Sequence, residues 1–560
     1  MFPPLLFLQD VMEDFLIHSL DYDPPSSPPR SLLPLMLTCR LFYKLLNPTN
    51  NPRLYRRIFH RKFDSSALPR RFPPSSLLAS LFYPELKRRF HALRCISRGD
   101  VHHPRLQHAL LVAYVMVLEH DALNYHHLQS AGLPALLEKY VAERLHRGHN
   151  LWPIEDTCNT LAVALFWHMT SQGALDGESI DSRDKIMDIL FPLTFAWFRY
   201  SFGEQGFDPY LLVNGTNFTP HLSPRACSPL SPAPVTVPVD YMGHAFHLRL
   251  PPIALSASLA YFARLDAFPL AYPPEIPLLR VQDGGQGQTV EDIEHYNRSF
   301  RTRTVHRGPD SPSTCADSPS TRHDWDWLCA VVGDPFTSGS LRRYTPGTLT
   351  GTWRGTYLAP YDRDFTPFMT GEAGPAALPG HSRLPFSCCL EEHLQHSGPK
   401  SCPSGDIWDD PSLVPLLPPT TWTRREDGSE LFDARSSTKV FYETFNRERP
   451  GEEPENVQGD FESGASSTSA DQEIVDVILS GYTDVPLQPA WGSYEFSGRV
   501  QLTDGLVVLV GQPLNEHGGR LPRRTLYAGY LLSSQNLVGK WKYCSPGAQW
   551  EGIWSLCKEE

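Results

Sequence analysis

The sequence predicts an α+β chain of several domains, with a helical first half and an antiparallel β-barrel at the C-terminal side that a long disordered insertion interrupts. Three observations carry this. Through residues 10–200 apolar residues recur at three- and four-residue spacings. From Leu349 the pattern changes to strict alternation. At 208–345 and again at 372–471, proline, serine and acidic residues dilute both patterns.

A chain of 560 residues exceeds one ordinary domain, and its 41% hydrophobic content can supply two or three cores. Its 53 prolines break regular structure between them. The net charge of -12 denies the chain as a whole the basic field that nucleic acid binding needs, so no nucleic acid partner is expected. No run of about 18 apolar residues occurs, so no membrane span is expected either. The opening MFPPLLFLQDVMEDF lacks a basic n-region and a small-residue cleavage site. Eleven irregularly spaced cysteines read as reduced thiols, which points to the cytoplasm or nucleus.

The first expected unit is residues 1–64. Within it, 10–20 sets Val11, Met12, Phe15, Leu16 and Leu20 on one side of a helix. Leu33, Leu37, Leu41 and Leu45 then recur at four-residue spacing until Asn47-Pro48 ends the pattern. A third helix opens with Asn51 as N-cap and Pro52 at its first position, and presents Leu54, Ile58 and Phe63. Residues 65–207 read as a helical array, with helices at 106–118, 133–145, 157–169 and 185–200. Its histidines, His102, His103, His126, His127, His146 and His149, read as scattered surface positions rather than a metal set. Residues 208–345 read as a proline-rich linker with short helices at 252–267 and 289–296.

The barrel occupies 346–560. Residues 349–357 alternate so that Gly351, Trp353, Gly355 and Tyr357 share one face and Arg354 takes the other. Further strands are expected at 474–480, 491–502, 506–510, 524–532, 537–543 and 550–556, and seven or eight such strands suit a small closed barrel. The insertion at 372–471 is expected to be disordered, apart from local order at 404–410 and 438–445.

Candidate chemistry is sparse. Cys388 and Cys389 with His393, His396 and Cys402 carry zinc-type donors, but side chains of adjacent cysteines converge poorly on one tetrahedral centre, so no metal and no cofactor are expected. No nucleophile elbow occurs, no catalytic residue is assigned, and the chain reads as a non-enzyme. The aromatic set Trp353, Tyr357, Trp491, Phe496, Tyr530, Trp541, Trp550 and Trp554 has two readings, a filled barrel or a ligand cavity. Arg354 is a candidate to pair with a bound peptide.

Residues 37–42, Leu37-Thr38-Cys39-Arg40-Leu41-Phe42, resemble the Cys-Arg-x-Phe core of F-box helices, and Leu45-Leu46 and Leu54-Tyr55 continue the usual order. The expected Leu-Pro before the first helix is replaced by Phe2-Pro3-Pro4, displaced upstream. Together with YTPGTLTGTWRGTYLAPYDRDF and YEFSGRVQLTDGLVVLV, these segments are similar to a large family of fungal F-box-domain proteins. The Gly-x-Trp strand resembles the first strand of lipocalin-like barrels, including the substrate-binding barrel of some F-box-only proteins of animals and plants. The resemblance implies the substrate-recognition subunit of an SCF-type (cullin-RING) ubiquitin ligase. It implies a Skp1-like adaptor and a cullin scaffold as partners, and a target protein on the barrel. The adaptor-facing residues would be Leu33, Leu35, Leu37, Cys39 and Phe42, and the target-facing ones Trp353, Arg354, Tyr357 and Trp541. The alternative is a barrel that binds a small apolar ligand, with the helices as scaffold.

Overall fold

The computed structural model describes residues 4–24, 27–145, 152–196, 200, 235–273, 275–280, 287–299, 318–332, 345–360, 380–396, 422–424, 428–433, 438–445, 474–502, 505–515, 519, 521, 524–543 and 551–559. The residues 404–410, His146, His149, Cys402 and Trp550, on which the sequence raised expectations, lie outside them.

The first helices are α1 (Pro4–Ser19), α2 (Leu32–Thr38), α3 (Arg40–Leu46) and α4 (Pro52–Lys62). Asn51 caps α4 as its identity predicts, its side chain accepting the Leu54 N–H at 3.1 Å with Pro52 next in line. The single helix expected around Leu33–Leu45 is instead two. Cys39 is extended (φ -156°, ψ 163°) and its Sγ accepts the Phe42 N–H at 3.5 Å, so it caps α3. The array continues with α5 (Leu68–Arg71), α6 (Phe82–Ile96), α7 (Leu106–Leu118), α8 (Leu123–Ser130), α9 (Leu133–Tyr140), α10 (Thr157–His168), α11 (Gln172–Gly177) and α12 (Ile180–Phe195).

One charged hub ties this array together. Arg89 of α6 is fully buried, stacks its guanidinium 4.7 Å from the Phe59 ring centre, and pairs with Glu85 at 3.0 Å and Glu119 at 2.5 Å. The Tyr241 hydroxyl, arriving from beyond the array, donates to the same Glu119. Removing one member of such a set leaves the others charged and dry, which makes it a strong constraint on how the helices meet.

The linker reading of 208–345 needs correction. It contains a hairpin, β1 (Thr236–Tyr241) and β2 (His244–Arg249), to which β3 (Val331–Val332) adds a third strand. Val237, Val239 and Tyr241 alternate inward, and Pro238 is tolerated because β1 is an edge strand. Both turn residues, Met242 and Gly243, have positive φ, as a tight twisted hairpin requires. The region also holds α13 (Ile253–Leu265), α14 (Val290–Ser299) and α15 (Asp324–Ala330).

The C-terminal strands close into an eight-stranded antiparallel barrel. It consists of β4 (Gly351–Pro360), β5 (His381–His396), β9 (Ile474–Tyr482), β10 (Ser493–Val500), β11 (Leu506–Leu514), β12 (Thr525–Leu532), β13 (Asn536–Tyr543) and β14 (Glu551–Lys558), each paired to the next, with β14 closing on β4. The disordered reading of 372–471 is corrected for 381–396, where β5 is a full barrel strand. Three more strands, β6 (Trp422–Arg424), β7 (Gly428–Asp433) and β8 (Thr438–Thr444), extend the sheet from β5, and the local order expected at 438–445 is strand β8. Leu384, Phe386, Cys388 and Leu390 do alternate, but Pro385 hides the strand; it is accommodated because that half of β5 pairs with β4 on one side only, β9 joining at Cys389. At the other boundary, Trp491 belongs to a short helix, α16 (Gln488–Trp491), and not to the expected strand; Gly492 (φ 90°) makes the turn into β10.

The barrel and the helices share one core. Leu358, Leu506, Val508, Val510, Leu526, Tyr530, Val538 and Ile553 point outward from the barrel and pack into the helical cluster. Both faces of β11 and β12 are therefore buried, which is why Leu506–Val510 reads as a continuous apolar run rather than an alternation. Helix α13, buried on every side, packs between α10 and α12 and touches β13 and β14.

Candidate functional site

The barrel's interior decides between its two sequence readings. Trp353, Trp541 and Trp554 are fully buried inside it with Phe386, Phe496 and Tyr527. Each indole N–H finds a backbone carbonyl: Trp353 to Leu349 at 2.7 Å, Trp541 to Leu358 at 3.0 Å, Trp554 to Lys540 at 3.0 Å. Room for the rings comes from glycines. A Cβ on Gly552 would stand 2.8 Å from the Trp541 Nε1, and one on Gly529 2.8 Å from the Trp554 ring. Tyr530, expected inside, faces the helices, and Trp491 packs on Tyr296 of α14. These side chains fill the barrel as a core.

One barrel end is sealed. Buried Glu392 accepts the N–H groups of Gly347 and Thr350, each at 2.7 Å, and of Leu349. Lys558 donates to the carbonyls of Gly347 and Thr348, each at 2.8 Å, while its ammonium lies 5.7 Å from the Trp353 ring centre. Burial raises the Glu392 carboxyl above its ordinary value, against the three N–H bonds. Helix α15 covers the same end: Trp325 joins the barrel core, and Asp326 accepts the Ser533 N–H at 2.9 Å in the β12–β13 turn. Burial pushes the Asp326 carboxyl up to about 7. His323, His120 and His168 gather beside it, their ring centres 5.4 and 5.5 Å from that of His323.

Of the expected target-facing residues, Trp353 and Trp541 are thus core. Arg354 does alternate to the outer face, but it pairs within the chain, with Asp484 and with Glu559 at 2.7 Å. Tyr357 is half-buried at the opposite barrel end, where it, Tyr494 and Tyr543 surround Tyr527. Cys388 points into the barrel and Cys389 out of it, because neighbours on a strand alternate. His393 contacts Thr444 and Ser480, each at 2.8 Å. The thiol–imidazole set therefore does not converge, and among the described residues no three His, Cys, Asp or Glu side chains form a metal group.

The N-terminal helices differ. Their inner sides bury Leu16, Leu20 and Leu46 against Leu54 and Ile58 of α4, and Arg57 braces α1 through Glu13 (3.2 Å) and Asp14 (2.7 Å). Their outer sides carry large apolar groups in water: Leu37 is 74% exposed, Leu33 61% and Phe15 58%, with Val11, Leu41 and Tyr43 also exposed. Of the residues the resemblance assigned to an adaptor, Leu33, Leu37 and Cys39 face outward, whereas Leu35 and Phe42 pack half-buried on the protein's own core. Val11 and Phe15 were missed, read as one stripe with Leu16 and Leu20. The signal lay in the width of that stripe: at about 100° per residue, Val11 to Leu20 sweeps roughly 180°, more than one neighbouring helix covers.

No family model, curated protein or solved structure matches the chain.

Proposed function

We propose that the protein is a substrate-recognition subunit of an SCF-type (cullin-RING) ubiquitin ligase, with α1–α4 as an F-box-like unit that docks a Skp1-like adaptor. The body of helices and lipocalin-like barrel then holds a target at a fixed distance from the ligase. The observation that carries the reading is the outward placement of Leu33, Leu37 and Leu41 in the very segment whose sequence resembles an F-box. Large apolar side chains grouped on one set of helices mark a surface that a partner covers. A helix pair whose inner side is already packed can bury its outer side in a partner groove without refolding. The solid barrel interior disfavours the small-ligand alternative.

The test is co-purification of the full chain with a Skp1-like protein. The double variant Leu33→Asp/Leu37→Asp should abolish retention while the melting temperature stays unchanged, since both side chains are exposed. Retention of neither wild type nor variant would refute the reading.

A further inference from the structure

A cationic groove runs between α6 and the start of α7 on a chain whose net charge is -12. Its volume is about 850 Å³. Lys87, His91 and Arg94 line one wall at successive turns of α6 and Arg98 continues it from the turn beyond the helix, while His103, Arg105 and His108 stand on the other. None of its described lining residues is acidic. Arg88 is occupied by the fold, bound to Glu85 at 2.8 Å and lying 5.1 Å from the Tyr241 ring centre. Lys87, Arg94, Arg98 and Arg105 instead make no ion pair among the described residues, and all four are exposed. Arg98 is aimed by a 3.0 Å contact with His103, whose other ring nitrogen lies 3.3 Å from the Cys95 Sγ.

An apolar pocket of about 160 Å³ adjoins this groove and shares Tyr83, Lys87, His91 and Arg94 with it. Pro28, Pro29, Leu32, Leu86 and Phe90 supply its walls. A ligand that fits both sites has one compact apolar group followed by several negative charges.

We propose that the groove binds an acidic peptide segment of a protein partner, which seats one aliphatic side chain in the pocket and lays its carboxylates along the α6 stripe. From Lys87 to Arg94 the helical part of the stripe is about 10 Å long at 1.5 Å per residue, the span of about three extended residues, and Arg98 lengthens it from the turn that follows. A cleft lined by one sign of charge focuses its field and draws in the opposite charge. A long polyanion such as RNA suits the site less well, because beyond the groove it meets a protein of net charge -12. The inference goes beyond adaptor docking: none of the groove cations lies on α1–α4, and although the pocket takes Leu32 from α2 and Tyr55 and Ile58 from α4, the exposed Leu33 and Leu37 line neither site.

The experiment is fluorescence anisotropy on the full chain with a fluorescein-labelled hexapeptide, leucine followed by alternating glutamate and aspartate. Saturable binding that weakens steeply between about 50 and 200 mM salt is expected. Arg94→Glu/Arg98→Glu should weaken it at least about tenfold with the melting temperature unchanged, because both residues are exposed. Replacing the probe's leucine by serine should weaken it several-fold without touching the protein. No binding to wild type, equal binding to the charge-reversed variant, or a single-stranded RNA hexamer displacing the probe at lower concentration than the unlabelled peptide would overturn the proposal.

Discussion

Helices α1–α3 and the barrel dispose of their apolar residues in opposite ways. The barrel consumes its aromatic groups internally and, through β11–β14, spends its outer surface on the helices. The N-terminal helices bury one side and leave leucines on the other. Among the described residues the barrel interior is a closed core, whereas the outer side of α1–α3 is left uncovered.

Truncation separates the two regions most sharply. Trp554→Ala removes a fully buried indole ringed by Tyr527 and Phe386, and should destabilise the protein by about 3–5 kcal/mol in urea unfolding. A loss below about 1 kcal/mol would mean that the barrel interior is not a packed core.

Acid should loosen the buried half next. Burial lowers His120 and His127 to about 4 and His168 to about 3, so these rings stay neutral when folded but take protons near 6.5 when unfolded. Their stabilisation is present above pH 6.5 and is lost as pH falls toward 4, at about 2 kcal/mol each by pH 5. Asp326, raised to about 7, works the other way: its folded form binds the proton more tightly, so stability falls as pH rises from about 4 to about 7, and on acidification it offsets about one histidine. His168→Asn should flatten the fall of melting temperature between pH 6.5 and 5, and Asp326→Asn should steepen it. The opposite pair of changes would show that these groups are not buried as described.

The smallest change is expected on the exposed side. Leu37→Ser should alter unfolding free energy by no more than about 0.5 kcal/mol, since water already reaches the side chain. A loss above about 2 kcal/mol would place Leu37 in the fold and erase the contrast.

Much of the fold was legible residue by residue. The cap at Asn51-Pro52, helix α7 and the alternation around Trp353 follow from local identity and spacing, since each is decided within a few residues. The candidate surface was half legible: Leu33 and Leu37 were named, but Leu35 and Phe42 turned inward where Cys39 breaks the helix. Strands β1 and β5 were missed because Pro238 and Pro385 mimic linkers until one knows that each lacks a strand partner on one side.

By itself the sequence determined where the chain is helical, where it alternates and which leucines repeat, because periodicity is a property of neighbours along the backbone. Only the tertiary structure decided which apolar stripe meets protein and which meets water. Val11 and Leu16 look alike in the sequence, yet α4 packs against one side of α1 and not the other. Likewise Arg354 became a structural residue only when folding carried Asp484 and Glu559 to it, through contacts more than a hundred residues apart in the chain.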